Sequence, residues 1–154
     1  MNYDDVITCA VVGQEGAAPE NAKEKINEAI TGLFKTGYRR FLIVLTGEVT
    51  LLFAEEAVSF REQYPDMGID ISMPFDSWID EQPENKRYRQ IVAQAESVNY
   101  GGAEEYEDSV DICNHQPIGF GRCMVVIYGG GDKAMPELIA EIRDAEQEVK
   151  EILL

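Results

Sequence analysis

Residues 122–131 read RCMVVIYGGG, an apolar run followed directly by three glycines. An unbroken apolar run of this length is typical of a strand that is covered on both faces of a parallel sheet. The spacing of apolar residues after the glycines predicts an amphipathic helix from Pro136 to about Ile152. A buried strand that ends in glycine and leads into a helix is the usual form of a phosphate- or nucleotide-binding edge.

The rest of the chain repeats this alternation of strand and helix. Four further strands are predicted, at residues 6–12, 41–45, 69–73 and, more weakly, 97–100. Helical spacing of apolar residues predicts helices around residues 22–33, 49–60, 88–95 and 104–113, and loops at 75–85 and 114–120. The alternation favours a three-layer, Rossmann-like α/β fold in one domain, residues 1–154, with a mostly parallel sheet of about five strands flanked by helices.

Composition limits the partners that the protein can have. The net charge is −16 at pH 7, and a surface this acidic repels nucleic acid phosphates and anionic lipid, so we expect no nucleic acid partner. No run approaches the roughly 18 apolar residues of a membrane span, so we expect no membrane partner. Because residues 1–5 lack the basic residues of a secretory signal, we expect a cytoplasmic location.

The sequence has none of the usual motifs of a metal or catalytic centre. The three cysteines and the single histidine, His115, have none of the spacings that are typical of zinc sites or disulfide frameworks. The chain also lacks a serine nucleophile elbow, a phosphate-loop lysine and a catalytic cysteine–histidine pattern. We therefore predict no metal, no resident cofactor and no catalytic residue.

A series of weak motifs occurs in a fixed order along almost the whole chain. They are Gly13 after the first strand, residues 54–58 (AEEAV), Tyr64-Pro65, Pro74, Trp78, residues 86–91 (KRYRQI), Tyr106, Asn114 and residues 128–130 (YGG). In this order they resemble the YpsA-like branch of the SLOG superfamily, which is related to the LOG phosphoribohydrolases and to DprA. The resemblance implies a Rossmann-like fold, a nucleotide or ADP-ribose-like ligand and assembly into a homo-oligomer.

The chain departs from that pattern where the family carries its polar residues. Gln14 and Glu15 stand in place of a histidine–arginine pair, and Cys113 stands in place of an arginine. Asp132 and Lys133 replace part of a glycine–glycine–threonine loop. A phosphate beside Glu15 and Asp132 would be repelled by about 1 kcal/mol each at a solvated site. The departures therefore indicate a different ligand, or none.

The candidate ligand-binding residues lie at predicted strand ends or in the loops and helices that follow them. They are Gly13, Gln14, Thr46, Gly47, Trp78, Asn114, Gly129, Gly130, Gly131 and Lys133. Backbone amides of the glycine run could bind an anion, Gln14 a base or ribose, Trp78 a base and Asn114 a ribose.

Each candidate also has a structural alternative. The glycine run could be a tight turn that requires positive φ, and Thr46 could be a helix N-cap. Trp78 could pack over the sheet or in a subunit contact, and Lys133 could be a surface residue.

Three hypotheses about function follow from these residues. The first is a binder or sensor of a nucleotide-derived ligand. The second is a degenerate scaffold that acts through protein contacts and has lost its ligand. The third is an N-glycosidase acting on nucleoside monophosphates, in which a glutamate such as Glu56 would activate water or stabilise a ribosyl cation.

Overall fold

A computed structural model describes residues 8–101 and 106–154, with the backbone alone for residues 106–108. The elements in chain order are β1 (Thr8–Gly13), α1 (Ala22–Lys35), β2 (Arg40–Val44), α2 (Glu48–Gln63), β3 (Gly68–Met73), a 3-10 helix (Trp78–Glu81), α3 (Asn85–Gln94), β4 (Ser97–Tyr100), α4 (Tyr106–His115), β5 (Cys123–Tyr128), α5 (Ala134–Asp144) and β6 (Glu148–Leu153). The predicted strand residues 6–7 and helix residues 104–105 lie outside the described residues.

The strands form one parallel sheet in the order β4-β3-β2-β1-β5-β6. Helices cover both faces, so the predicted α/β, Rossmann-like architecture is confirmed. The sheet has six strands rather than about five. None of the helices within residues 8–101 and 106–154 has the length and apolar character needed to cross a lipid bilayer.

The extra strand corrects the prediction of a single helix from Pro136 to about Ile152. The chain leaves α5 after Asp144 and reaches β6 through Glu146, whose φ of 59° is left-handed and cannot continue a helix. The Gln147 side chain then donates to the carbonyl of Phe120, at 2.8 Å, and accepts from the amide of Gly119, at 2.9 Å. These contacts hold the chain at the start of β6.

Two predicted loops also contain helical turns. The segment 75–85 includes a 3-10 helix, and Trp78 at its start is completely buried. The segment 114–120 begins inside α4, because Asn114 and His115 form the last turn of that helix. In both segments, proline or polar residues lie close to the helical turn.

The sheet divides the core into two layers. Along β1, Cys9 and Val11 face α1, α2 and α3, whereas Ala10 and Val12 face α4 and α5. The buried face of α1 is the one that helical spacing predicts, namely Ala22, Ile26, Ala29, Ile30 and Leu33. Because β1 is apolar on both sides, it forms the centre of both layers.

The strand order places a topological switch between β1 and β5. From β1 the chain builds the sheet outward through β2, β3 and β4, and it then returns to place β5 on the other side of β1. In open parallel sheets, ligands bind outside the carboxyl ends of the strands at such a point. Gly13 and Tyr128, at the ends of β1 and β5, mark this position.

Candidate functional site

The carboxyl edge of the sheet contains two separate depressions. The first, the β2 pocket, has a volume of about 510 Å³ and is lined by Glu15, Gly16, Ala17, Ala18, Thr46, Gly47, Glu48, Gln82, Pro83, Glu84 and Tyr88. The second, the α4–α5 cleft, consists of two adjoining cavities of about 310 and 370 Å³. It is lined by Gly13, Glu15, Val110, Asp111, Asn114, His115, Asp132, Ala134, Met135, Glu137, Leu138 and Glu141. Glu15 lines both depressions.

The structure divides the predicted site residues between these places. Thr46 and Gly47 line the β2 pocket, and Gly13 and Asn114 line the α4–α5 cleft. The remaining six candidates line neither depression, and they are Gln14, Trp78, Gly129, Gly130, Gly131 and Lys133. The predicted site residues therefore do not form one shared pocket.

At the glycine run 129–131 the Gly129 amide is bonded to a side chain of the protein, and so is the start of α5 that follows. The Gly129 amide donates to Oε1 of Gln14 at 2.6 Å, and the Met135 amide in the first turn of α5 donates to Oδ2 of Asp132 at 2.7 Å. Asp132 thus supplies the negative charge that a helix N-terminus favours. None of the three glycines has a positive φ, so their conformation does not require glycine.

Gly13 has a packing role at the same edge. A Cβ atom at this position would lie 2.7 Å from Cγ2 of Val49 and 3.0 Å from Cγ2 of Thr50. The missing side chain therefore lets the first turn of α2 approach the end of β1. Gly47 has a different environment, because a Cβ atom there would come no closer than 3.6 Å to the neighbouring atoms.

The β2 pocket contains a helix N-terminus that no side chain caps. The 16-residue helix α2 follows Gly47, which has an extended backbone and no side chain to act as a cap, and among the described residues no side chain bonds to the amides of the first turn. Those amides have no intrahelical acceptor and are free to bind an oxygen atom. The start of α2 is therefore open where the start of α5 is closed.

Thr46 places an unused hydroxyl beside that open helix start. The residue is only 2% exposed, and its Oγ1 atom has no hydrogen-bond partner in the described part of the chain. Its amide is engaged, because it donates to Oγ1 of Thr50 at 3.2 Å. The alternative that Thr46 is an N-cap is therefore not met, because no amide in the described residues donates to its hydroxyl, and a buried hydroxyl without a partner is costly unless something else binds it.

The charges around the β2 pocket are mainly negative. Arg87 is held by three glutamates: Nη2 contacts Oε1 of Glu55 at 2.5 Å, Nη1 contacts Oε1 of Glu48 at 3.1 Å, and Nη1 also contacts Glu84. The hydrogen bonds to Glu55 are the main cause that raises the pKa of Arg87 above its usual value. Glu15 adds another carboxylate, so the group carries a net negative charge that disfavours phosphate.

Trp78 lies behind the pocket and not in it. Its ring is 0% exposed and packs edge-on against Tyr88, with the ring centroids 5.0 Å apart. A base could stack on Trp78 only if this packing opened. The geometry agrees with the alternative that Trp78 is part of the core.

The α4–α5 cleft is acidic along its length. Among its lining residues only His115 can carry a positive charge, and its Nε2 lies 2.7 Å from Oε2 of Glu141 while its Nδ1 lies 2.8 Å from the Asp111 carbonyl. Partial burial lowers the pKa of His115, but these hydrogen bonds to Asp111 and Glu141 outweigh it and raise the pKa above the usual value. His115 therefore links α4 to α5 most strongly when it is protonated.

Several residues that shape these depressions have no local signal in the sequence. Asp111 and Glu141 meet through His115 although they lie on different helices, and Gln82 and Glu84 reach the β2 pocket from the loop after the 3-10 helix. Glu56, the candidate acid for glycoside cleavage, lines neither depression, and its Oε1 accepts from Asn27 at 3.5 Å. Only the strand order brings the lining residues together.

A group of three or more histidine, cysteine or acidic side chains placed to hold a metal ion is absent from residues 8–101 and 109–154. No protein-family model matches the chain, and a search of curated proteins finds no significant relative.

Proposed function

We propose that this protein binds or senses a nucleotide-derived small molecule, and that the β2 pocket takes its nucleoside or base portion without a phosphate. The observation that carries the proposal is the unpartnered Thr46 hydroxyl, which is buried beside the uncapped start of α2. A ligand oxygen or nitrogen can bond to both groups, which the described part of the chain leaves unsatisfied.

The lining of the pocket fits an uncharged polar ring system. Ala17, Ala18 and Pro83 supply apolar surface, and the first-turn amides of α2 supply donors. The carboxylates of Glu15 and Glu48 can accept hydrogen bonds from ribose hydroxyls or from an exocyclic amine. The volume of about 510 Å³ lies within the usual range for small-molecule sites.

The resemblance to the SLOG superfamily supports the ligand class, and the charges support the absence of a phosphate. In nucleotide-binding edges of this kind, the phosphate lies at a helix N-terminus. Here the α5 start holds Asp132, and the α2 start has Glu48 in its first turn. We also propose that the chain belongs to this superfamily and forms a homo-oligomer.

Thermal melting against a ligand panel tests the proposal. The panel contains the common nucleosides, their monophosphates, ADP-ribose and NAD at millimolar concentration. A nucleoside at ten times its dissociation constant adds about 1.4 kcal/mol of stability, which raises the melting temperature by about 3–6 °C in a chain of this size. We expect one nucleoside to raise the melting temperature more than its own monophosphate does.

Thr46→Val is the decisive variant, because it keeps the shape of the side chain and removes the hydroxyl. It should fold as stably as the wild type and lose most of the nucleoside shift, whereas Thr31→Val, on the outer face of α1, should keep it. Absence of a shift with every ligand would reject the proposal and favour the scaffold. Release of free base from a nucleoside monophosphate would instead establish the glycosidase.

A further inference from the structure

The α4–α5 cleft differs from the β2 pocket in shape and charge. Its two cavities share Asp111, Asn114, Ala134 and Met135, so they form one elongated groove. The groove runs from the end of β1, at Gly13, to the pair formed by His115 and Glu141. It lies on the α4 and α5 side of the sheet and shares only Glu15 with the β2 pocket.

Carboxylates line the groove from one end to the other. Glu15 and Asp132 lie at the β1 end, Asp111 lies in the shared middle, and Glu137 and Glu141 lie at the far end. The only lining residue that can offset them is His115, since Lys133 does not line the groove. A ligand here must therefore be cationic, and its charges must be spread along its length.

A buried polar group in the middle of the groove also lacks a partner. Asn114 is 7% exposed and lines both cavities, and its Oδ1 atom has no hydrogen-bond partner among the described residues. A buried amide oxygen without a donor is a group that an N–H of a ligand in the groove can complete. This observation is separate from the charge of the groove.

The walls between the carboxylates are apolar. Val110, Met135 and Leu138 are all buried, and they pack along the groove where methylene groups could contact them. No three acidic, histidine or cysteine side chains within residues 8–101 and 109–154 converge as a metal site would require. The carboxylates are thus separated along apolar surface rather than gathered round a point.

We infer that the α4–α5 cleft binds an aliphatic polyamine in its ammonium form. The ammonium groups pair with Glu15, Asp132, Asp111 and the acids at the far end, the methylene chain packs on Met135 and Leu138, and one N–H donates to Asn114. The net charge of −16 also attracts such a cation from solution.

Isothermal titration of the full chain with spermidine tests the inference, with butylamine and Mg²⁺ at equal ionic strength as comparison cations. Spermidine should bind with one site and at least about tenfold more tightly than butylamine, because it makes additional charge-assisted contacts. Displacement of spermidine by Mg²⁺ at the same ionic strength would overturn the inference, because it would indicate unspecific counterion binding.

Three variants separate a built site from the general field of the protein. Asp111→Asn and Asn114→Leu should each weaken spermidine by about tenfold, while Glu62→Gln, an exposed acid at the end of α2, should not. Asp111 is largely exposed, so its variant should fold normally. Equal weakening by Asp111→Asn and Glu62→Gln, or unchanged binding by both cleft variants, would overturn the inference. The nucleoside response of the β2 pocket should be the same in all three.

Discussion

The starts of α2 and α5 lie at the same edge of the sheet, yet they differ in whether side chains of the protein bond to them. The start of α5 follows three glycines, and it is closed by Asp132 and by the bond from the Gly129 amide to Gln14. The start of α2 follows one glycine, and within the described residues it has neither a side-chain cap nor a partner for the Thr46 hydroxyl beside it. The richer glycine motif is therefore the occupied one.

The difference shows what distinguishes a binding edge from a turn. Glycine lets a ligand approach the backbone closely, but the amides bind a ligand only if no side chain of the protein reaches them first. Buried polar groups without partners are the more informative sign, because folded proteins rarely leave them so. The predictions below either remove this difference between the two helix starts or make it larger.

The largest expected effect comes from two glycine substitutions with opposite signs. Gly13→Ala should lower the free energy of unfolding by about 1–3 kcal/mol, because the new methyl group meets Val49 and Thr50 in the first turn of α2. Gly130→Ala should leave the free energy of unfolding unchanged or raise it by up to about 1 kcal/mol. The reason is that no neighbouring atom lies within 4 Å of the new Cβ atom and that φ at Gly130 is not positive. Urea unfolding measures the free energy of unfolding of both variants. Equal losses of stability in the two would contradict the expected difference between Gly13 and Gly130.

Opening the start of α5 should have the next largest effect. Asp132→Ala removes the acceptor of the Met135 amide and should cost about 1 kcal/mol, whereas Asp132→Asn keeps a capping oxygen and should cost less. Sulfate at constant ionic strength should then stabilise Asp132→Ala more than the wild type, because the anion can take the place of the carboxylate. If sulfate stabilised the wild type as much as Asp132→Ala, the Asp132 carboxylate would not be what closes the start of α5 to anions.

The link through His115 should make the α5 side weakly dependent on pH. The folded state raises the pKa of His115, so its contribution to stability is full below the unfolded pKa, near 6.5, and is lost as the pH rises through the folded value. Because the ring is 40% exposed, the contribution should stay below about 1 kcal/mol. Subtracting the stability-against-pH profile of His115→Gln from that of the wild type isolates the contribution of His115. A difference that grew with pH would contradict a pKa raised by folding.

Closing the start of α2 should have the smallest effect on stability. Gly47→Ser adds a capping hydroxyl where the backbone is extended and a Cβ atom fits, and it should stabilise the protein by a few tenths of a kcal/mol. The same hydroxyl should reduce any nucleoside response by competing for the first-turn amides. Gly47→Ala adds the Cβ atom without a cap and should be no more stable than the wild type.

Much of the fold could be predicted because β1, β2 and β5 are nearly continuous apolar runs and β3 alternates apolar and polar residues. The segments at 41–45 and 69–73 correspond to β2 and β3, and even the weak strand 97–100 is β4. The strand β6 was missed because Val149 and Ile152 continue the helical spacing of Leu138 and Ile142. What separates the two elements is the long-range bonding of Gln147, which no local pattern records.

The site could be predicted only to the level of a sheet edge. Glycine and threonine at strand ends are visible in the sequence, but the bond from Gly129 to Gln14 joins residues 115 positions apart. Likewise, nothing near Thr46 or Asn114 reveals that their oxygens are buried without partners. Whether a polar group is satisfied depends on the whole fold, so it becomes visible only when the structure is known.

The central position of β1 also bears on how the protein is made. β1 pairs with β2 on one side, but its other partner, β5, lies near the far end of the chain. At about 5–20 residues per second, a nascent chain carries the unpaired edge of β1 for several seconds before β5 leaves the ribosome. An apolar strand edge exposed for that time can pair with a neighbouring chain. The yield of folded protein should therefore depend on how soon the last third of the chain is synthesised.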